Sequence, residues 1–310
     1  MLIWCSTDPS EGKVLSSPEN PQFATPPLNT ESQTVPLVVG PFPPPTFLPA
    51  PPPPKAGETP VWNGWDVLLM GLLTVVTLFV AQVLIVFAAR HFLYPGQNLL
   101  DLAVKPKLAM LSELVTYALV GLYMFLLVEG KYRAHFWQAI RWNWPGSAGI
   151  SFMGLGVLML SLDYLGARFL PMPKTTPFDQ FFNRPSDAYL VAAFAVTLGP
   201  LMEELFFRGF LHPVLARRTG SAGGIIITGA LFGLIHSPQY GNSWAAVLIV
   251  CLVGIVLTTV RAVTKSVASS FLAHVGYNGI LLLLTAWATD GFRHMEKAAV
   301  VLAPLLGTRY

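Results

Sequence analysis

The amino-acid sequence predicts an all-α, polytopic transmembrane helical bundle of about seven to eight helices, preceded by a disordered, proline-rich tail. Of its 310 residues, 53% are hydrophobic and only 11% are charged, and the mean hydropathy is +0.56. Soluble domains carry about 25% charged residues, so this composition excludes a soluble globular enzyme. Apolar segments near the roughly 20-residue length of a bilayer-crossing helix recur after residue 62. They lack β-barrel alternation, which indicates helices.

Residues 1–62 form the predicted tail, because they contain 16 of the 27 prolines. Proline removes backbone donors and favours extended geometry, so no packed core is expected there. Residues 63–310 form the predicted membrane domain. The net charge of +3 is too small to indicate nucleic acid as a partner. Cys5 and Cys251 lie in unrelated segments, so they predict neither a disulfide framework nor a cysteine metal site.

Seven apolar segments are long enough, or nearly so, to be spans. The first contains no charged side chain, and Arg90 ends it. The second and third carry Glu113 and Asp163, for which a structural or cavity-lining role is expected. The predicted spans comprise residues 67–89, 108–128, 148–170, 188–218, 223–235, 244–260 and 266–287.

The fourth span is too long for one simple crossing and contains Pro200 and Pro213, whereas the fifth is short. Residues 298–306 are apolar but contain Pro304, and we predict a half-span or surface segment there.

Charge asymmetry favours a cytoplasmic location for Arg218 and Lys265, because the short loops that contain them are basic. The loop 239–243 on the other side carries no charge.

Ionisable residues gather in three of these spans, where each is costly and therefore indicates function. They lie in the segments 203–208, 232–236 and 274–278. A helix rise of about 1.5 Å per residue places Glu203 and His236 about 21 Å from the same basic face, with His274 and Asn278 at a similar level. The three segments therefore predict one site.

The spacing within each segment assigns chemistry. Residues four apart share a helix face, so Glu204 can pair with Arg208 while Glu203 faces the bundle. A carboxylate beside a histidine can hold and deprotonate a water molecule. His274 and Asn278 are also four apart and would direct two donors at a developing oxyanion. The predicted reaction is attack of water on an amide carbonyl.

These motifs, Glu-Glu-x-x-x-Arg, Phe-x-x-x-His and His-x-x-x-Asn in this order on successive apolar helices, resemble the CPBP family of intramembrane glutamic proteases. That family includes the Rce1-type CAAX prenyl endopeptidases and the bacteriocin-processing and immunity proteins. The resemblance covers residues 187–290. It implies that Glu203 activates water with His236, that His274 and Asn278 form the oxyanion pair, and that the other two motif residues support them. These supporting residues are Glu204 and Arg208.

Three other functions remain open at this stage. One carboxylate and two histidines also suit zinc, although no His-Glu-x-x-His motif occurs and no cofactor is expected. A non-catalytic scaffold or immunity-type protein could keep the same fold. Intramembrane carboxylates are also typical of transporters, but no repeat of the kind that inverted-repeat transporters show is visible.

The expected partners are the lipid bilayer and a membrane-associated protein or peptide, one with a prenylated CAAX end included. The sequence indicates no particular oligomeric state. We expect a multi-pass integral membrane protein, in the plasma membrane if the source is prokaryotic. The short distance from His236 to the loop 239–243 predicts access from that side, which the charge asymmetry places outside. A CAAX-type enzyme would instead work on the cytoplasmic side.

Overall fold

The computed structural model describes residues 60–173, 175–295 and 297, and every regular element in these ranges is helical. The predicted all-α membrane bundle is therefore confirmed. Six described helical stretches are long and apolar enough to cross a membrane. The predicted tail up to residue 59 and the predicted half-span at 298–306 lie outside the described residues.

The α-helices are connected by short loops and single helical turns. Two of them continue into π-helical turns, α3 into Leu126–Lys131 and α7 into Glu204–Leu211. The helices are α1 Gly64–Phe92, α2 Leu99–Ala103, α3 Pro106–Phe125, α4 Phe136–Ala139, α5 Gly149–Ala167, α6 Pro185–Val196, α7 Leu198–Glu203, α8 His212–Ile235, α9 Trp244–Thr264 and α10 Val267–Ala288.

Helix α1 shows why the bundle needs a lipid environment. Its apolar side chains are largely uncovered by protein, with Leu68, Phe79 and Leu84 each more than 60% exposed. The helix begins at a capping box in which Asn63 accepts hydrogen bonds from two backbone amides and Asp66 bonds back to Asn63. The cap satisfies backbone donors that would otherwise be unpaired at the helix start.

The predicted fourth and fifth spans form one 51-residue helical stretch, Pro185–Ile235, with three interruptions. The first is at Thr197, where φ and ψ are −116° and −80°. Pro200 explains it, because a proline ring clashes with the carbonyl four residues earlier, here that of Val196. The second is the π-helical turn Glu204–Leu211, which ends two residues before the next proline, Pro213.

The third interruption reverses the chain at Gly220, whose φ of +77° favours glycine. Residues on either side of this turn lie close together, because a Cβ on Gly224 would be 2.7 Å from the backbone of Ala216. Farther along, the rings of Phe207 and Phe232 are 5.2 Å apart. The second part of α8 therefore returns beside the π-helical turn and carries His236 back to the level of Glu203.

Glycines allow the helices around the site to pack closely. A Cβ on Gly229 or Gly233 would lie 2.6 Å from a backbone atom of α9, and one on Gly156 would lie 2.2 Å from the Ala273 carbonyl oxygen in α10. Small residues at helix crossings are typical of membrane proteins, because close backbone contact replaces the missing hydrophobic driving force. These contacts join α8 to α9 and α5 to α10.

Trp62 anchors the start of the described chain, although it is the last residue of the predicted tail. It is 1% exposed, its Nε1–H donates to the Phe210 carbonyl at 3.0 Å, and its ring centroid is 4.4 Å from that of Phe210. Trp62 thus packs in the core beside the π-helical turn that carries the first motif.

Candidate active site

A cavity of about 200 Å³ lies among α3, α6, α7, α9 and α10, and we call it the central cavity. The four predicted catalytic residues all line it. Gln239 and Tyr240 also line it, so the cavity extends to the segment that follows α8. The predicted catalytic residues are Glu203, His236, His274 and Asn278. Their roles remain predictions.

Glu203 is the last residue of α7 and lies between two histidines. Its Oε1 is 3.6 Å from His236 Nε2, and its Oε2 is 3.7 Å from His274 Nε2. These separations exceed a direct hydrogen bond and suit a bridging water. One carboxylate therefore faces two imidazole rings that come from two other helices.

The ring of His236 has a defined orientation. Its Nδ1 lies 2.6 Å from the Phe232 carbonyl oxygen, one helical turn earlier. A carbonyl can only accept, so Nδ1 carries the proton and Nε2 of the neutral ring faces Glu203 with a lone pair. The Phe-x-x-x-His spacing thus fixes the tautomer that leaves Nε2 free for a water.

Glu204 and Arg208 form the predicted pair, at 2.9 Å, and both are fully buried. Glu204 also accepts a hydrogen bond from Ser270 Oγ and lies 2.9 Å from His274 Nδ1. Arg208 donates in addition to the Gly254 carbonyl at 3.0 Å. These contacts connect the π-helical turn to α9 and α10, which satisfies two charges that would be costly if they were buried alone.

The same contacts set the state in which His274 can act. The Glu204 carboxylate already accepts hydrogen bonds from Arg208 and Ser270, so His274 Nδ1 is the donor in its contact with Glu204. Nε2, which faces Glu203, can then donate only when the ring is doubly protonated.

Asn278 lies one turn beyond His274 on α10, at the wall of the central cavity. Its Nδ2 donates to the Ala195 carbonyl at 2.7 Å. That carbonyl belongs to the last turn of α6, just before the break at Thr197. This bond fixes the side chain, and a primary amide has a second N–H that can donate to a ligand.

Three residues at the site were not predicted to act there. Tyr117 and Tyr240 line the central cavity, and Ser270 supports Glu204. Burial and then the charge of Glu203 raise the pKa of Tyr240, so its hydroxyl is a neutral donor at physiological pH. Ser270 precedes His274 by four residues, a spacing that could have indicated it. Glu113 lines the cavity, in agreement with its predicted cavity-lining role.

Zinc was an alternative to a metal-free site. Among the described residues, no group of three or more His, Cys, Asp and Glu side chains could hold a metal ion. Glu203, His236 and His274 thus lie near one another without forming such a group.

Comparison with known proteins gives a match over the part of the chain that carries these residues. Residues 185–280 match the family model described as type II CAAX prenyl endopeptidase Rce1-like. This part of the chain is Rce1-like. The predicted resemblance to the CPBP family is confirmed, and the Rce1-like region contains all three motifs and every predicted site residue. The match supports a CAAX- or CPBP-type intramembrane protease in general.

A curated relative is the Bacillus subtilis (strain 168) protein described as uncharacterized protein YyaK. It is 28% identical over 177 residues, which are 54% of this chain and 57% of YyaK. The chain thus spans little more than half the length of this relative. No solved structure matches.

Proposed function

We propose that the protein is an intramembrane endopeptidase that hydrolyses a peptide bond of a membrane-associated protein, using water activated by glutamate and histidine. The observation that carries the proposal is the position of Glu203, between two imidazoles at a cavity inside the bundle. The motif order and the Rce1-like match support it. The protein is an integral, multi-pass membrane protein. If its source is prokaryotic, we propose that it lies in the plasma membrane.

In the proposed first step, a water molecule lies between Glu203 and His236 Nε2. Glu203 takes a proton from the water as its oxygen attacks the carbonyl carbon of the scissile bond, and His236 accepts the hydrogen bond that orients the water. The His236–Phe232 contact supports this role, because it holds the ring in the accepting tautomer.

In the second step, the tetrahedral oxyanion accepts hydrogen bonds from His274 Nε2–H and from the remaining N–H of Asn278. The carbon–nitrogen bond then breaks, and Glu203 returns its proton to the leaving nitrogen. Water is consumed, and a new carboxylate and a new amine are formed. Glu204, Arg208 and Ser270 act through His274 and do not touch the substrate.

The proposed substrate class is a protein with a lipid-modified or strongly apolar end, including a prenylated CAAX sequence. Apolar side chains such as Val191, Phe194 and Leu281 line much of the central cavity, which suits an apolar chain. The family description names CAAX prenyl endopeptidases, which supports the same class.

The test is cleavage by the full-length protein in lipid nanodiscs of two quenched fluorogenic peptides that end in a CAAX sequence, one farnesylated and one not. Wild type is compared with Glu203→Gln and with the matched control Glu129→Gln, a carboxylate that does not line the central cavity. We expect wild type and the control to cleave the farnesylated peptide, with or without a metal chelator, and Glu203→Gln to be inactive.

Three results would contradict parts of this proposal. Cleavage by Glu203→Gln would refute the proposed base. Loss of wild-type activity with chelator, restored by zinc, would favour the zinc alternative. Failure of the folded wild type to cleave either peptide would refute the substrate class.

A further inference from the structure

A second cavity, of about 320 Å³, lies apart from the central cavity. It is bounded by the turn around Gly220, by the end of α4 and by the C-terminal end of α9. Four basic side chains line it, and among its described lining residues none is Asp or Glu. We call it the basic cavity, defined by Arg141, Arg217, Arg261 and Lys265.

Arg261 is the unusual member of this group. It is 5% exposed, its Nε is buried without a hydrogen-bond partner, and no ion pair of Arg261 occurs within the described ranges. The charge of Arg141 acts on it, so the nearby charge is of the same sign. A buried cation without a counter-ion is costly, and two like charges add to that cost.

His212 contributes a second buried polar atom without a hydrogen-bond partner. It is also 5% exposed, and its Nδ1 has no hydrogen-bond partner. Arg217 and Lys265, by contrast, are exposed at the entrance. The cavity thus combines an exposed cationic entrance with a buried, unsatisfied interior.

The positions of nearby tryptophans place the basic cavity at the level of lipid headgroups. Trp137 in α4 and Trp142 and Trp144 in the loop that follows, which also contains Arg141, make successive edge-to-face contacts at 5.6 and 5.5 Å. Trp137 and Trp144 are more than half exposed. Tryptophan is enriched at membrane interfaces because its amphipathic ring suits both phases.

The helix dipole and the positive-inside rule together explain only some of the four basic residues that define the basic cavity. Cations near the C-terminus of a helix offset its dipole, and exposed cations in short loops follow the positive-inside rule. Both effects explain Lys265 and Arg217. Neither explains why Arg261 is buried beside Arg141 with its Nε unpaired.

We infer that the basic cavity is a binding site for a phosphate group, carried by an anionic phospholipid headgroup or by a free phosphate ion. Arginine guanidinium groups bind phosphate in a planar, two-bonded geometry, and Arg261 offers this fork at the bottom of the cavity. Arg217 and Lys265 attract the anion at the entrance. This site is independent of the proposed peptidase reaction.

The experiment measures binding to the full-length chain in non-ionic detergent by tryptophan fluorescence and by the shift of unfolding temperature. The probes are dihexanoyl phosphatidylglycerol, dihexanoyl phosphatidylcholine and inorganic phosphate. Wild type is compared with Arg261→Gln and with the matched control Arg218→Gln, a neighbouring exposed arginine that does not line the cavity. We expect saturable binding of an anionic probe, about tenfold or more weaker in Arg261→Gln, unchanged in Arg218→Gln, and weak binding of phosphatidylcholine.

The two anionic probes distinguish the source of the phosphate group. Tight binding of phosphatidylglycerol alone would identify a lipid site, and equal binding of inorganic phosphate would identify a free-ion site. If Arg261→Gln does not fold, the double variant Arg217→Gln with Lys265→Gln takes its place, because it changes only exposed positions. This double variant should weaken binding of the same anionic probe. Absence of saturable binding by wild type, or equal loss in Arg218→Gln and the cavity variants, would overturn the inference.

Discussion

At the scale of single residues, two adjacent carboxylates have different surroundings. Glu204 is fully buried and bonded to Arg208 and Ser270, whereas Glu203 faces the central cavity between two histidines. The rule that residues four apart share a helix face predicted the Glu204–Arg208 pair and the separate direction of Glu203. The same rule puts Ser270 on the helix face of His274, but it could not predict that Ser270 bonds to Glu204, because that bond joins elements far apart in sequence.

His274 and Asn278 provide the residue-scale prediction. Loss of one oxyanion donor lowers turnover by about 10²–10³, so His274→Ala and Asn278→Ala should each lower kcat by that factor. The KM should change little, because these donors act mainly on the transition state. The measurement is steady-state cleavage in nanodiscs.

Asn183→Ala is the matched control, since Asn183 is exposed and does not line the central cavity. An unchanged kcat in both oxyanion variants would refute the assignment. A rise in KM alone would instead indicate that the two side chains bind substrate without stabilising the oxyanion.

At the scale of elements, hydropathy located the apolar segments, but it did not predict how the helical stretch Pro185–Ile235 is interrupted. Pro200 and Pro213 indicated disturbance there, whereas the π-helical turn Glu204–Leu211 depends on hydrogen-bond register, which hydropathy does not report. π-Helical turns occur frequently at functional sites. Here the turn carries Glu204 and Arg208.

At this scale we predict how a Gly→Ala change at a close helix crossing affects stability. A Cβ on Gly156 would lie 2.2 Å from the Ala273 carbonyl oxygen, whereas one on Gly154, in the same helix, would meet nothing within 4 Å. Gly156→Ala should therefore lower the free energy of unfolding by about 1–3 kcal/mol through overpacking. Gly154→Ala should be neutral or stabilising, because alanine favours helix.

Denaturant unfolding in detergent micelles compares the two variants with wild type. Equal stability of the two would contradict the close α5–α10 crossing. Because α10 carries His274, the crossing also positions part of the active site, so Gly156→Ala should lower peptidase activity as well.

At the scale of the whole molecule, composition and hydropathy predicted the membrane bundle, and the order of the three motifs predicted the resemblance to the Rce1-like family. The central cavity was less predictable. Glu113 and Tyr117 reach it from α3, outside the motifs, through packing between helices. Trp62 likewise looked like the end of the tail, yet it packs on Phe210.

At this scale we predict how the stability of the protein changes when the chain is truncated before or after Trp62. Deletion of residues 2–59 should leave the free energy of unfolding unchanged, because it retains the buried tryptophan. Deletion of residues 2–62 should lower it by about 3–5 kcal/mol, the usual cost of losing a buried large aromatic side chain. Trp65→Ala is the control, because Trp65 is 76% exposed. Equal stability of the two truncations would contradict the anchoring role.

Proteolysis by Glu203 is the central claim, and it is tested most directly by comparing new protein N-termini in membranes from cells that carry wild type or Glu203→Gln at matched expression. We predict a set of termini that are present with wild type and absent with Glu203→Gln, and these termini would identify the substrate. Identical termini in both membranes, with both proteins folded and present, would contradict the proposed function and favour a non-catalytic scaffold.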